Sequence, residues 1–153
     1  MDTVLSDKVV TLKLAPPLSV ATGTSMGDVI DTVQRHRAGA VLICEGKRLI
    51  GIITERDVLM KVIARDVNYD EPVDKFMTSN PRTLPPDATI GEAITLMNSE
   101  EFRNIPIVDP ETNEAVAIFR VRDVIDHLAE SFPEHVINLP PRPHQKMKTA
   151  EGA

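Results

Sequence analysis

Gly51–Val62, GIITERDVLMKV, passes from an apolar run into a helical one through a single Thr-x-x-Asp step, and the chain holds a second version of it. At an offset of 66 (117 − 51), Ala117–Leu128 reads AIFRVRDVIDHL, with the apolar run, the acid and the helical spacing in the same places. Such a run followed by apolar residues three and four apart is the pattern of a buried strand feeding a helix with one buried face.

Upstream the correspondence continues. PLSVATGTSMGDVIDTVQRHRAGAVLI from Pro17 lies over PRTLPPDATIGEAITLMNSEEFRNIPI from Pro81, an offset of 64 (81 − 17). Met26, Val29, Ile30 and Val33 fall on Ile90, Ala93, Ile94 and Met97, a helix periodicity. Val41, Leu42 and Ile43 fall on Ile105, Pro106 and Ile107, a short apolar run that reads as a strand. The turn EGKR in the first copy is replaced by the longer DPETNE in the second, which shifts the offset; hairpin tips tolerate such insertions. Each copy is therefore predicted as strand, helix, strand, hairpin, strand, helix over about 50 residues, and neither buries its helices alone.

The expected organisation is an N-terminal segment 1–15, a first repeat 16–63, a linker 64–79, a second repeat 80–130 and a Pro-rich tail 131–153. VVTLKLAPP, before the first repeat, reads as a strand ending at its Pro-Pro stop. The linker carries one short amphipathic piece, VDKFM. In the tail, four prolines between Pro133 and Pro143 exclude regular structure, while Val136, Ile137 and Leu139 call for cover as a strap on this or a partner subunit.

Composition narrows the function classes. At 153 residues the chain can bury a core without disulfides, and its one cysteine, Cys44, makes no internal bridge. A formal charge of −6 argues against an extended nucleic-acid surface. The first residues lack a basic start and a long apolar run, and no stretch approaches the ~20 apolar residues of a membrane span, so a cytoplasmic location is the expectation. No G-x-S-x-G, phosphate-binding Gly-rich loop or His-Glu-x-x-His is present, and no nucleophile or acid–base pair emerges. His36, Cys44, His127, His135 and His144 do not have metal-ligand spacing.

Thr54 and Asp57 admit two readings. Thr-x-x-acid ahead of a helix is close to a capping box, which needs no ligand. The same groups suit a nucleotide: exposed N–H groups and a hydroxyl for phosphate, a carboxylate for the two ribose hydroxyls. The twin junction keeps Asp123 but has Arg120 for Thr54 and Ala117 for Gly51. Arginine has no acceptor, so the cap is expected to be abandoned there and the acid retained without it. Arg120 then either contacts a di- or triphosphate or fills the cleft and binds Asp123.

With this repeat and its Gly-apolar-apolar-Thr-x-x-Asp junction, GIITERD, and with FRNIPIVD as an apolar-Pro-apolar second strand, the chain resembles the CBS domain family. Two in tandem resemble a CBS pair, or Bateman module, of the stand-alone bacterial type. The resemblance implies an α/β (α+β) fold of two βαββα repeats related by a pseudo-two-fold axis, with two clefts between them and homodimerisation through the repeat helices. It also implies a regulatory adenosyl ligand, AMP, ADP, ATP or S-adenosylmethionine, with output through an effector protein and no required cofactor or metal.

By position, the resemblance places Ile52, Thr54, Asp57, Arg82, Phe102, Arg103, Asn104 and Ile105 around a first cleft, with adenine against Phe102 and Ile105. Arg103 is the phosphate-binding candidate, or else a solvated surface arginine. Leu18, Ala38, Gly39, Val41, Arg120 and Asp123 would form a second cleft that departs from the family pattern. A ligand sensor is the leading function; a ligand-free dimerisation scaffold, with Thr54 as a plain cap, is the alternative.

Overall fold

In a computed structural model, which describes residues 2–131, the chain forms a short helix α1 (Asp2–Ser6) and then two similar units. The first contains β1 (Ser19–Ala21), α2 (Met26–His36), β2 (Ala40–Glu45), β3 (Arg48–Thr54) and a helix that starts as one α-turn, α3 (Glu55–Asp57), and continues π-helical over Val58–Ile63. After β4 (Thr78–Ser79), the second unit contains α4 (Ile90–Glu100), β5 (Asn104–Val108), β6 (Ala115–Arg120) and α5 (Val121–Ser131). The fold is mixed α+β with the two repeats the sequence predicts.

The repeats match in detail. Ser25 and Thr89 cap α2 and α4, accepting the N–H of Asp28 at 3.2 Å and of Glu92 at 3.1 Å. Both helices end on a left-handed residue, Arg37 and Glu101. β1 pairs parallel with β2, which pairs antiparallel with β3, and the ladder slips between Ile43 and Cys44. In the second repeat β5 and β6 pair antiparallel with a slip between Ile107 and Val108, and a single parallel bridge, Leu84–Ile107, replaces β1.

The correspondence also reaches the segments ahead of each repeat, and here the structure departs from the sequence reading. Val9–Thr11 is a 3-10 turn, as is Val73–Lys75 sixty-four residues later, so VVTLKLAPP is not a strand; only Ala15 makes a bridge, to Ile118. The Val9 N–H bonds Ala88 O and the Ile90 N–H bonds Asp7 O, both at 2.8 Å. In the other unit the Val73 N–H bonds Thr24 O and the Met26 N–H bonds Glu71 O, again at 2.8 Å. The N-terminal segment thus covers the second repeat, and the segment between the repeats covers the first. The reason is burial: Val9 and Leu12 complete the core of Ile90, Ala93, Ile105, Ile107 and Phe119, while Val73 completes that of Met26, Val29, Val41, Ile43 and Ile53. The tail residues Val136, Ile137 and Leu139 lie outside the described residues.

A third apolar cluster joins the repeats. Ala40, Leu42, Cys44, Leu49 and Ile52 of the first meet Val108 and Ile118 of the second. Burial pushes the Cys44 thiol above its usual pKa, only partly offset by a hydrogen bond with Ser19, so it is a packing residue. Among the described residues no helix is long and apolar enough to cross a membrane.

Gly51 owes its identity to this packing. A Cβ there would run into Met77 Sδ and lie 3.0 Å from its Cγ, so the covering segment's flexible methionine fills the space of a side chain. At the twin position the chain carries a buried Ala117, and the residue 64 before Met77 is the solvent-exposed Lys13, which pairs with Glu130. Gly51→Ala is expected to cost about 1–3 kcal/mol by overpacking, with Met77→Ala recovering part of it in the double variant; thermal melts of the four proteins measure the coupling.

A second tie holds the loop between β1 and α2. Asp74 accepts hydrogen bonds from the Thr22 hydroxyl and, at 2.7 Å, from the Gly23 N–H, and these hold its carboxyl below the ordinary 3.8. A depressed folded-state pKa adds stability above the unfolded value that disappears as pH falls through the folded one. Stability should therefore fall on acidification below about pH 4, and Asp74→Asn should flatten that part of the curve; denaturant titrations across this range provide the check.

Candidate functional site

A cleft of about 1260 Å³ opens between the repeats, beside the end of β3. One wall is Ile52, Thr54, Glu55, Arg56 and Asp57; the segment Thr78, Asn80, Pro81 and Arg82 forms the floor. Facing them are Ile94, Met97, Asn98 and Glu100 of α4, then Glu101, Phe102, Arg103, Asn104 and Pro106, with Val121, Val124 and Ile125 of α5 closing one side.

The structure brings together Ile52, Thr54, Asp57, Arg82, Phe102, Arg103 and Asn104 of the expected first cleft. Ile105 is a correction: it is fully buried against Val9, Ile90 and Phe119. Successive strand residues face opposite sides, so Asn104 and Pro106 face the cleft while Ile105 and Ile107 face the helices. The apolar α5 wall went unrecognised; its only signal was Val121 and Ile125 at helical spacing on a face that stays exposed.

At the first junction the capping box is complete. Thr54 Oγ1 accepts the Asp57 N–H at 3.1 Å, and Asp57 Oδ2 accepts the Thr54 N–H at 3.0 Å. The Thr54 hydroxyl proton remains available to donate. The Asp57 side chain is 21% exposed, and its Oδ1 lies 3.4 Å from Lys61 Nζ, which also donates to Phe76 O. A carboxylate with accessible lone pairs thus stands at the wall of the cleft, its charge supported by a lysine one turn on. Across the opening Arg82 lies 3.7 Å from Glu100, while Arg103 makes no ion pair among the described residues.

The residues expected around a second cleft are arranged otherwise. Val41 is fully buried in the first repeat's core, by the same strand alternation as Ile105, and Leu18 packs against that core. Ala38 is half-buried at the end of α2, and Gly39 lines the first cleft, where a Cβ on it would meet the Asn104 amide at 3.7 Å. Arg120 and Asp123 stand outside that cleft and bind each other: the Arg120 N–H donates to Asp123 Oδ2 at 2.8 Å, Nε to the same oxygen at 3.3 Å and Nη2 to Oδ1 at 2.9 Å.

This corrects the expectation that Asp123 is retained without a capping role. It still accepts the N–H at the head of α5, so the acid half of the box survives the loss of Thr. Its carboxylate pushes the Arg120 guanidinium further above its usual pKa.

Two βαββα units packed face to face around such a cleft define a tandem-repeat module. The family model for the CBS domain matches residues 8–64 and 73–130, and the chain belongs to that family. An Arabidopsis thaliana CBS domain-containing protein is 34% identical over 112 residues, 72% of this chain; the chain spans only about a fifth of that relative's length, the match covering 20% of it. Among solved structures, a CBS domain protein from Pyrobaculum aerophilum complexed with AMP superposes with a TM-score of 0.71 at 22% identity, covering 80% of this chain and 98% of that one. A CBS domain pair in complex with 5′-methylthioadenosine and S-adenosyl-L-methionine gives a TM-score of 0.71 at 22% identity, covering 81% and 97%.

Removing the Thr54 hydroxyl leaves the Asp57 N–H without its side-chain acceptor. Thr54→Ala is expected to lower stability by about 1 kcal/mol, measured by denaturant unfolding without ligand.

Proposed function

We propose that the chain is a non-catalytic regulatory module that holds an adenosine-containing ligand, AMP, ADP, ATP or S-adenosylmethionine, in the Thr54/Asp57 cleft and signals to an effector protein. The observation that carries this reading is the half-exposed junction facing Phe102, Arg103 and Asn104 across one cleft between the repeats. Asp57 offers lone pairs to the ribose hydroxyls, the Thr54 proton and Arg103 offer donors to phosphate, and Phe102 offers a ring face to adenine. The AMP and S-adenosylmethionine complexes of structurally similar CBS proteins support this class of ligand. A ligand spanning both walls favours the closed arrangement of the repeats, and that difference in affinity is what a partner reads.

Leu59, Met60 and Ile63 on the first repeat's last helix, and Val121, Ile125 and Leu128 on α5, leave apolar surface exposed, which favours a homodimer through these helices. The module operates in the cytoplasm. One observation favours the alternative, a ligand-free scaffold: the capping box satisfies Thr54 and Asp57 with nothing bound.

AMP, ADP, ATP and S-adenosylmethionine at millimolar concentration separate the two. At least one is expected to raise the melting temperature; saturation to 100 times the Kd stabilises by about 2.7 kcal/mol. Asp57→Ala should abolish most of the rise. A melting curve unmoved by all four rules out the sensor reading.

A further inference from the structure

We propose that the second cleft is closed by the protein's own Arg120, which occupies Asp123 in place of a ligand, so that each chain takes up one adenosine-containing molecule rather than two. The inference rests on the reading of the first cleft given above. The two junctions share a backbone plan and an acid, yet the acids differ in access: the Asp57 side chain is 21% exposed and that of Asp123 is 2%.

The chemistry of the occupant explains the closure. A ribose presents two hydroxyl donors to the two oxygens of a carboxylate. Arg120 presents Nε and Nη2 to those same two oxygens, at 3.3 and 2.9 Å, with a formal charge in addition. The contact is three residues along one chain, so it forms without the translational entropy an incoming ligand loses. Displacing it would separate an ion pair whose acid is buried, leaving an uncompensated charge.

The remaining role for Arg120, a phosphate contact, is disfavoured because its charge is committed to Asp123, with Asp126 adding to the negative field.

Calorimetric titration of AMP into the full chain reads the count directly. The wild type is expected to bind one AMP per chain, lost in Asp57→Ala, and Arg120→Thr, which recreates the Thr-x-x-Asp step, is expected to bind two. Arg120→Gln keeps the stem but not the two-pronged cation; it should also gain the second site and serves if the threonine variant fails to fold. Two AMP on the wild type, or a count still at one in folded Arg120→Thr and Arg120→Gln, overturns the closure. No AMP on the wild type but uptake by Arg120→Thr overturns the reading of the first cleft and leaves the closure standing; no uptake by any variant overturns both.

Discussion

Each repeat depends on a segment that is not part of its own strand–helix run. Val9 and Leu12 fill the second core and Val73 the first, and paired backbone hydrogen bonds fix them to the heads of α4 and α2. A strand-helix unit of this size buries too little apolar surface without such a cover. Because the covers are exchanged, the start of the chain is held against its far half, and the two sheets meet face to face through Leu42, Ile52 and Ile118. The position of the cleft follows from that meeting. It opens where the apolar contact stops and the end of β3 turns into helix.

Much of this is legible in the sequence because the chain states it twice. The offset of 64 to 66 aligns strands, helices and junctions without any partner information, and Thr54-x-x-Asp57 announces both its cap and its cleft. What sequence alone misplaced has a common cause. Ile105 and Val41 were expected at cleft walls, but a strand turns alternate side chains to opposite faces, and the apolar run NIPIV gives no sign of which face is which. VVTLKLAPP reads as a strand ending at its Pro-Pro stop, yet Val9 and Leu12 stand three apart, the spacing of a 3-10 turn. The covering role of 2–17 was visible only as a fainter continuation of the same offset, Val9 over Val73 and Leu12 over Phe76.

The twin junctions show how one backbone plan supports two electrostatic outcomes. Both acids accept the N–H three residues earlier, a structural duty that ties them to the helix whether or not a ligand is present. At the first, a neighbouring hydroxyl and a lysine one turn away leave the carboxylate partly exposed at the cleft; at the second, a single longer side chain binds both of its oxygens. Retention of an acid is therefore weak evidence for a site on its own. What matters is the residue three positions before it, which decides whether the carboxylate remains accessible.

The exchange of covers also makes the two halves of the chain depend on each other. A lone unit running from 2 to 65 would carry its cover ahead of its own strands, yet here each cover sits on the other unit's partner strands. Applied to a single copy, the same geometry is a reciprocal trade between two separate chains, each lending its first residues to the other. Within a single polypeptide the trade needs no second chain, so concentration does not limit it.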